Sequence, residues 1–184
     1  MSDPYFFGYG SLVNRATHSY AAAHPARLHG WRRVWRHTDL QPQAFLTAVP
    51  VEGSAIDGLI AAVPGADWAA LDARETGYDR VAAPRVDHPV GDVDVRVYTI
   101  PKGKHRVPDD TCPILLSYLD VVVQGYLTEF GESGVEAFFA TTDGWDTPIR
   151  DDRHAPLYPR AQVLEPRERA MVDAHLRAVG AVAI

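Results

Sequence analysis

Two short stretches of the chain hold residue types that can do chemistry. The first is FFGYGSLVN, residues 6–14. Its glycines permit a tight bend and close approach of the backbone to another group. Successive N–H groups in such a bend can converge on an anion. Ser11 adds a hydroxyl donor and Tyr9 an amphipathic wall. The second is LDARETGYDR, residues 71–80. It gathers Asp72, Glu75 and Asp79 with Arg74, Arg80 and Tyr78 where a helix should end. Glu75 stands two residues before Gly77, so its carboxylate can point into a cavity. Walled by aromatic rings, it would have a raised pKa and serve as base and acid near neutral pH. Each stretch alone also reads as ordinary structure. The first is then a strand-to-helix turn capped by Ser11 or Asn14, and the second a solvated helix end with weak charge pairs.

The elements that must position these stretches follow from periodicity. Residues 5–9 read as a buried strand, and residues 16–24 as a short helix stopped by Pro25. RLHGWRRVWRH (27–37) reads as a half-buried strand whose arginines face solvent. AFLTAVPV (44–51) and AIDGLIAAV (55–63) read as two strands joined by a hairpin turn at EGS. GADWAALDARE (65–75) has helical spacing, with Asp67 as cap and Gly77 as stop. Strand periodicity returns at 78–88, and strict alternation marks 93–101. From Leu115 to Leu127 one apolar helical stripe runs, with a shorter helix expected at 134–142. Residues 143–161 read as a long ordered loop and 165–180 as a terminal helix. PKGKHRVPDD (101–110) reads as a crossover. Strands first and helices after imply an α+β fold: a small, mixed, barrel-like sheet with helices packed at its edge. The expectation is one domain over 1–184, with 1–100 as the barrel-like core and 101–184 as a helical C-terminal extension with its long loop.

Composition narrows the function. The 184 residues are 46% apolar and 23% charged, as in ordinary globular domains. A net charge of −6 argues against nucleic acid as partner. No apolar run is long enough for a membrane span. One cysteine, Cys112, excludes an intrachain disulfide, and no signal-peptide pattern opens the chain. The expected location is the cytoplasm. The eight histidines lack metal-ligand spacing. Asp151, Asp152 and His154 in RDDRH form the best cluster, more readily explained as Arg–Asp pairs tying a loop. No metal is expected.

Taken together and in this order, FGYGSL and LDARETGYDR resemble the gamma-glutamylcyclotransferase-like family, which includes ChaC-type and AIG2-like proteins. The resemblance covers about the first 100 residues. It implies that Tyr9, Gly10, Ser11 and Leu12 grip a gamma-glutamyl head group and that Glu75 is the acid/base. Tyr98, on the last strand, is a further candidate for the pocket wall, or else a plain strand tyrosine. The region past Pro101 departs from the short family members. There Trp145, Arg150, Arg153 and Tyr158 are candidates for a lid or for contacts to the leaving group.

These residue types suit the implied reaction. In a gamma-glutamyl amide the α-amine attacks the side-chain carbonyl, giving 5-oxoproline and a free amine. The attack is intramolecular, so the enzyme gains by folding the substrate. One carboxylate can take the ammonium proton and return it to the departing nitrogen. Backbone N–H groups can hold the α-carboxylate or the oxyanion. No cofactor is required, the partner is a small gamma-glutamyl molecule, and an oligomer is left open. Two other readings stand beside this one: a non-catalytic binding module of the same fold, and a related transfer or amide-cleaving enzyme on a gamma-glutamylated metabolite.

Overall fold

The computed structural model describes residues 3–106 and 111–184. The last four residues of the expected 101–110 crossover therefore lie outside the described residues. Chain order gives β1 (Tyr5–Gly8), β2 (His24–Arg36), β3 (Phe45–Ala62), α1 (Ala69–Arg74), β4 (Asp79–Ala82), β5 (Val86–Asp87) and β6 (Val95–Thr99). There follow β7 (Ile114–Leu115), α2 (Leu116–Ala140), β8 (Thr142–Asp143), β9 (Ile149–Arg150) and α3 (Pro166–Ala178).

Seven strands form one mixed sheet in the order β4-β6-β1-β3-β2-β5, with β8 also on β2. β1 lies at its centre, antiparallel to β3 and parallel to β6. The sheet curls into a half-barrel. One face carries the main core, where Phe7, Leu28, Leu59 and Val97 from the sheet meet Leu119, Val122, Tyr126 and Phe138 of α2. The other face carries a smaller cluster of Phe6, Leu12, Val63, Leu71 and Tyr98 under α1. Neighbouring residues on a strand thus enter different clusters, as Phe6 and Phe7 do, because strand side chains alternate.

Three local expectations are corrected. Residues 16–24 form no α-helix. Single 3₁₀ turns stand at Ser11–Val13 and Arg15–Thr17 instead. The Thr17 hydroxyl bonds back to the Ser11 and Asn14 carbonyls, and Asn14 Oδ1 accepts from Ala16 N–H at 3.0 Å. Such side-chain captures compete with a continuing helix. EGS makes no hairpin: β3 runs through it, paired along β2 on both sides of an irregularity between His29 and Trp31. The two helices expected after residue 115 are both present within α2: it breaks at Gly131, whose non-helical φ of 69° suits glycine, and a shorter helical part follows. The arginines of β2 do not share a solvated face. Arg27 and Arg32 pair at the surface with Asp57 and Asp143, whereas Arg33 is 1% exposed.

Candidate active site

β1 ends at Gly8 and releases residues 9–12 as a loop against the first turn of α2. The Tyr9 hydroxyl donates to the Tyr98 carbonyl at 2.6 Å and ties the loop to β6. The 3₁₀ bond from Val13 N–H to the Gly10 carbonyl, 3.0 Å, then turns the chain back. Gly8, Tyr9, Gly10, Ser11 and Leu12 line a recess of about 30 Å³.

Glu75 closes α1 as its C-terminal cap and lines the same recess. Arg74 connects the two stretches. Its Nε lies 3.3 Å from Glu75 Oε1, while its other nitrogens donate to Ser11 Oγ at 3.2 Å and to the Thr17 carbonyl at 2.8 Å. The Arg74 and Glu75 side chains are only 8% and 17% exposed. Burial pushes the Glu75 carboxyl above the ordinary glutamate range. The nearby positive charges of Arg74 and Arg160 pull it partly back.

Tyr78 and Tyr118 complete the recess wall. The Tyr78 hydroxyl donates to the Leu46 carbonyl at 2.8 Å. Tyr118, in the first turn of α2, places its hydroxyl against the Gly10–Ser11 backbone. Burial holds the hydroxyls of Tyr9, Tyr78 and Tyr118 well above their ordinary range. These phenols stay neutral near pH 7.

The recess opens into a cavity of about 210 Å³, which Ser11, Glu75, Tyr78 and Tyr118 also line. Its outer wall is Gln41, Gln43, Phe45, Tyr158 and Arg160. Asp152 holds that wall in place. Its carboxylate accepts from Ser117 N–H at 2.8 Å, Ser117 Oγ at 2.6 Å and Leu157 N–H at 2.8 Å. These bonds dock the loop that carries Tyr158 and Arg160 onto the start of α2. They also hold the Asp152 carboxyl below its usual range against the opposing effect of burial.

The residues singled out from sequence are therefore largely gathered. Tyr9, Gly10, Ser11, Leu12 and Glu75 share one recess, and Tyr98 borders it. The Tyr98 ring packs in the smaller cluster, and its hydroxyl donates to Asp72 at 2.5 Å. Its link to the recess is the carbonyl that anchors Tyr9. Of the four lid candidates only Tyr158 reaches the cavity. Trp145 is buried beside Phe139, Arg150 lies on β9, and Arg153 pairs with Asp120 and Asp173. Sequence alone assigns no role to Arg74, Tyr78, Tyr118 or Arg160. Arg74 and Tyr78 lay within the acidic motif, whereas nothing local marks Tyr118 or Arg160.

No curated protein matches the sequence. A solved structure described as a gamma-glutamyl cyclotransferase superposes with a TM-score of 0.59 at 16% identity, covering 94% of this chain and 99% of that one. An uncharacterized human protein, loc79017, gives a TM-score of 0.60 at 16% identity with the same coverage. YkqA from Bacillus subtilis gives 0.59 at 15% identity, covering 74% of this chain and 52% of that one. At these identities the likeness is one of fold. The sequence model for gamma-glutamyl cyclotransferase, AIG2-like proteins matches residues 6–117, which include both chemical stretches. The chain belongs to the gamma-glutamyl cyclotransferase, AIG2-like family.

Proposed function

We propose that this protein converts a gamma-glutamyl amine or peptide to 5-oxoproline and the free amine. The observation that carries the reading is the shared recess: the Gly10–Leu12 loop and the buried Glu75 carboxyl line one small volume, bridged by Arg74. In the reaction Glu75 accepts a proton from the substrate α-ammonium. The freed nitrogen attacks the γ-carbonyl carbon and closes a five-membered ring. The bond from that carbon to the leaving nitrogen breaks as Glu75 gives that nitrogen its proton, and the ring nitrogen, which still carries two hydrogens after the attack, passes one of them to Glu75 to become the neutral lactam. Tyr9, Gly10, Ser11 and Leu12 hold the head group, and the loop N–H groups face the negative charge of the substrate. The leaving amine extends into the larger cavity.

Purified protein incubated with gamma-glutamyl-alanine, glutathione and gamma-glutamyl-putrescine should release 5-oxoproline from at least one, measured by mass spectrometry. Absence of release from a wider panel, together with ligand-dependent thermal stabilisation, would favour a binding module.

Arg160 gives the reading a charge preference. It lines the cavity, and its charge is felt at Glu75. With Arg74 already set against Glu75, the outer wall carries an excess of positive charge. Leaving groups that bear a carboxylate should therefore react better than cationic ones. Arg160→Glu is expected to lower kcat/KM for gamma-glutamyl-alanine by about 2–5-fold, the scale of partly exposed charge pairs, and to leave gamma-glutamyl-putrescine unchanged or improved. Equal losses on both would remove Arg160 from the recognition of the leaving group.

A further inference from the structure

Arg33 presents a charge problem that the proposed chemistry does not use. It sits on β2 at 1% exposure, and among the described residues no carboxylate pairs with it. The nearest candidate by contact, Asp57, offers its main-chain carbonyl, while the Asp57 carboxylate pairs with Arg27 at 3.0 Å. A buried charge without a counter-ion is costly. Here it is offset only by neutral groups. Arg33 Nε donates to the Tyr9 carbonyl at 3.1 Å and Nη1 to Thr141 Oγ1 at 2.7 Å, while Nη2 donates to the Asp57 carbonyl and the Tyr126 hydroxyl. The guanidinium carbon stands 4.9 Å from the Tyr126 ring centre and 5.2 Å from that of Phe138.

The Tyr9 carbonyl belongs to the peptide that opens the substrate loop. It has a second neighbour in the Tyr126 hydroxyl, at 3.0 Å. No peptide bond here is cis, and a trans peptide sets its C=O and N–H on opposite sides. Drawing the Tyr9 carbonyl into the core therefore turns the Gly10 N–H away from Arg33, where Gly10 lines the recess. A cation on the carbonyl oxygen also polarises the peptide and strengthens its N–H as a donor. Buried, that charge is little screened by solvent.

We propose that Arg33 is a positioning residue of the candidate active site: it fixes the Tyr9–Gly10 peptide with its N–H toward the recess and adds positive charge behind that peptide, beside the charges of Arg74 and Arg160. This rests on the cyclotransferase reading. It also explains why an uncompensated arginine is kept in the core, where apolar side chains of similar size often serve stability as well.

The test uses Arg33→Met, Arg33→Lys and Tyr126→Phe. Each is assayed for kcat and KM on the best gamma-glutamyl substrate, and for binding of 5-oxoproline and its neutral amide. Arg33→Met is expected to lose 5-oxoproline affinity by at least about 10-fold and the neutral amide by less than about 3-fold, with kcat lowered about 10²-fold, the cost of a misplaced reacting group. Arg33→Lys should recover part of the anion affinity but little of kcat. Should Arg33→Met fail to fold, Tyr126→Phe carries the test. It keeps the charge but removes the hydroxyl from the Tyr9 carbonyl, so kcat should fall while 5-oxoproline affinity holds. A folded Arg33→Met with wild-type kcat and equal losses on both ligands, or an unchanged kcat in Tyr126→Phe, overturns the proposal. Wild-type protein that releases no 5-oxoproline overturns instead the reading on which it rests.

Discussion

Glu75→Gln is expected to lower kcat for 5-oxoproline release by about 10²–10⁴-fold, the usual contribution of a positioned general base and acid, with little change in KM. Glutamine keeps the shape of glutamate, and its amide oxygen can still face Arg74. What it loses is the proton exchange, and no other group in the recess replaces it. The surrounding phenols are held neutral by burial. A variant that retained wild-type kcat would take Glu75 out of the chemistry.

The same environment fixes two pH dependences. Burial raises the Glu75 pKa, so the base form needed for attack appears only above the ordinary carboxylate range. The acid limb of kcat/KM should lie at correspondingly higher pH and be absent from residual Glu75→Gln activity. For stability, the native state binds this proton more tightly than the unfolded chain does. Wild-type stability from this group is full below the ordinary glutamate pKa and is lost as pH rises through the raised value. Glu75→Gln carries no charge to bury, so near neutral pH it should melt higher than wild type. Each kcal/mol corresponds to about 2–4 °C in a chain of this size. The gap should close as the buffer is taken below pH 4. Thermal melts across that range check the sign, and a variant less stable at neutral pH would contradict a desolvated carboxylate.

What the chain makes legible is what lies close in sequence. Tyr9 to Leu12 form one turn, and Glu75 ends one helix, so local chemistry suffices to single them out. β6 shows its alternation, and α3 its start, where Glu165 and Glu168 cap each other's backbone. What is not legible depends on how distant segments meet. Tyr118 reaches the loop only because α2 packs over it, and Tyr158 and Arg160 reach the cavity only because Asp152 docks their loop on Ser117, 35 positions away in sequence. Arg33 is hidden for another reason. It stands next to Arg32 on a strand, and alternation sends neighbours to opposite faces. One arginine pairs with Asp143 at the surface and the other enters the core. Only the register, with Arg33 opposite Ala48, says which is which. EGS misleads because its residues suit a turn as well as an irregular strand. The long antiparallel partner β2 decides for the strand.

Gly10→Ala is the second substitution expected to act strongly, and it tests the recess from its opposite wall. A Cβ at Gly10 would lie 2.6 Å from the Tyr118 hydroxyl oxygen. That oxygen ends a rigid ring held edge-on between Trp35 and Tyr158, with ring centres 6.0 Å and 5.0 Å away. It cannot withdraw as a flexible side chain would. The methyl group would also take up much of a recess of only about 30 Å³. Two losses are expected: a lower melting temperature from the clash, and a fall in kcat/KM of about 10²-fold from displaced head-group contacts. Tyr118→Phe in the same chain separates them. Removing the hydroxyl oxygen relieves the clash, so the double variant should regain most of the melting temperature. The methyl still fills the recess, so activity should stay low. Stability and activity would then couple differently in one double-mutant cycle. Recovery of both together would mean that Gly10 serves packing alone, and the substrate head group would have to be seated elsewhere in the larger cavity.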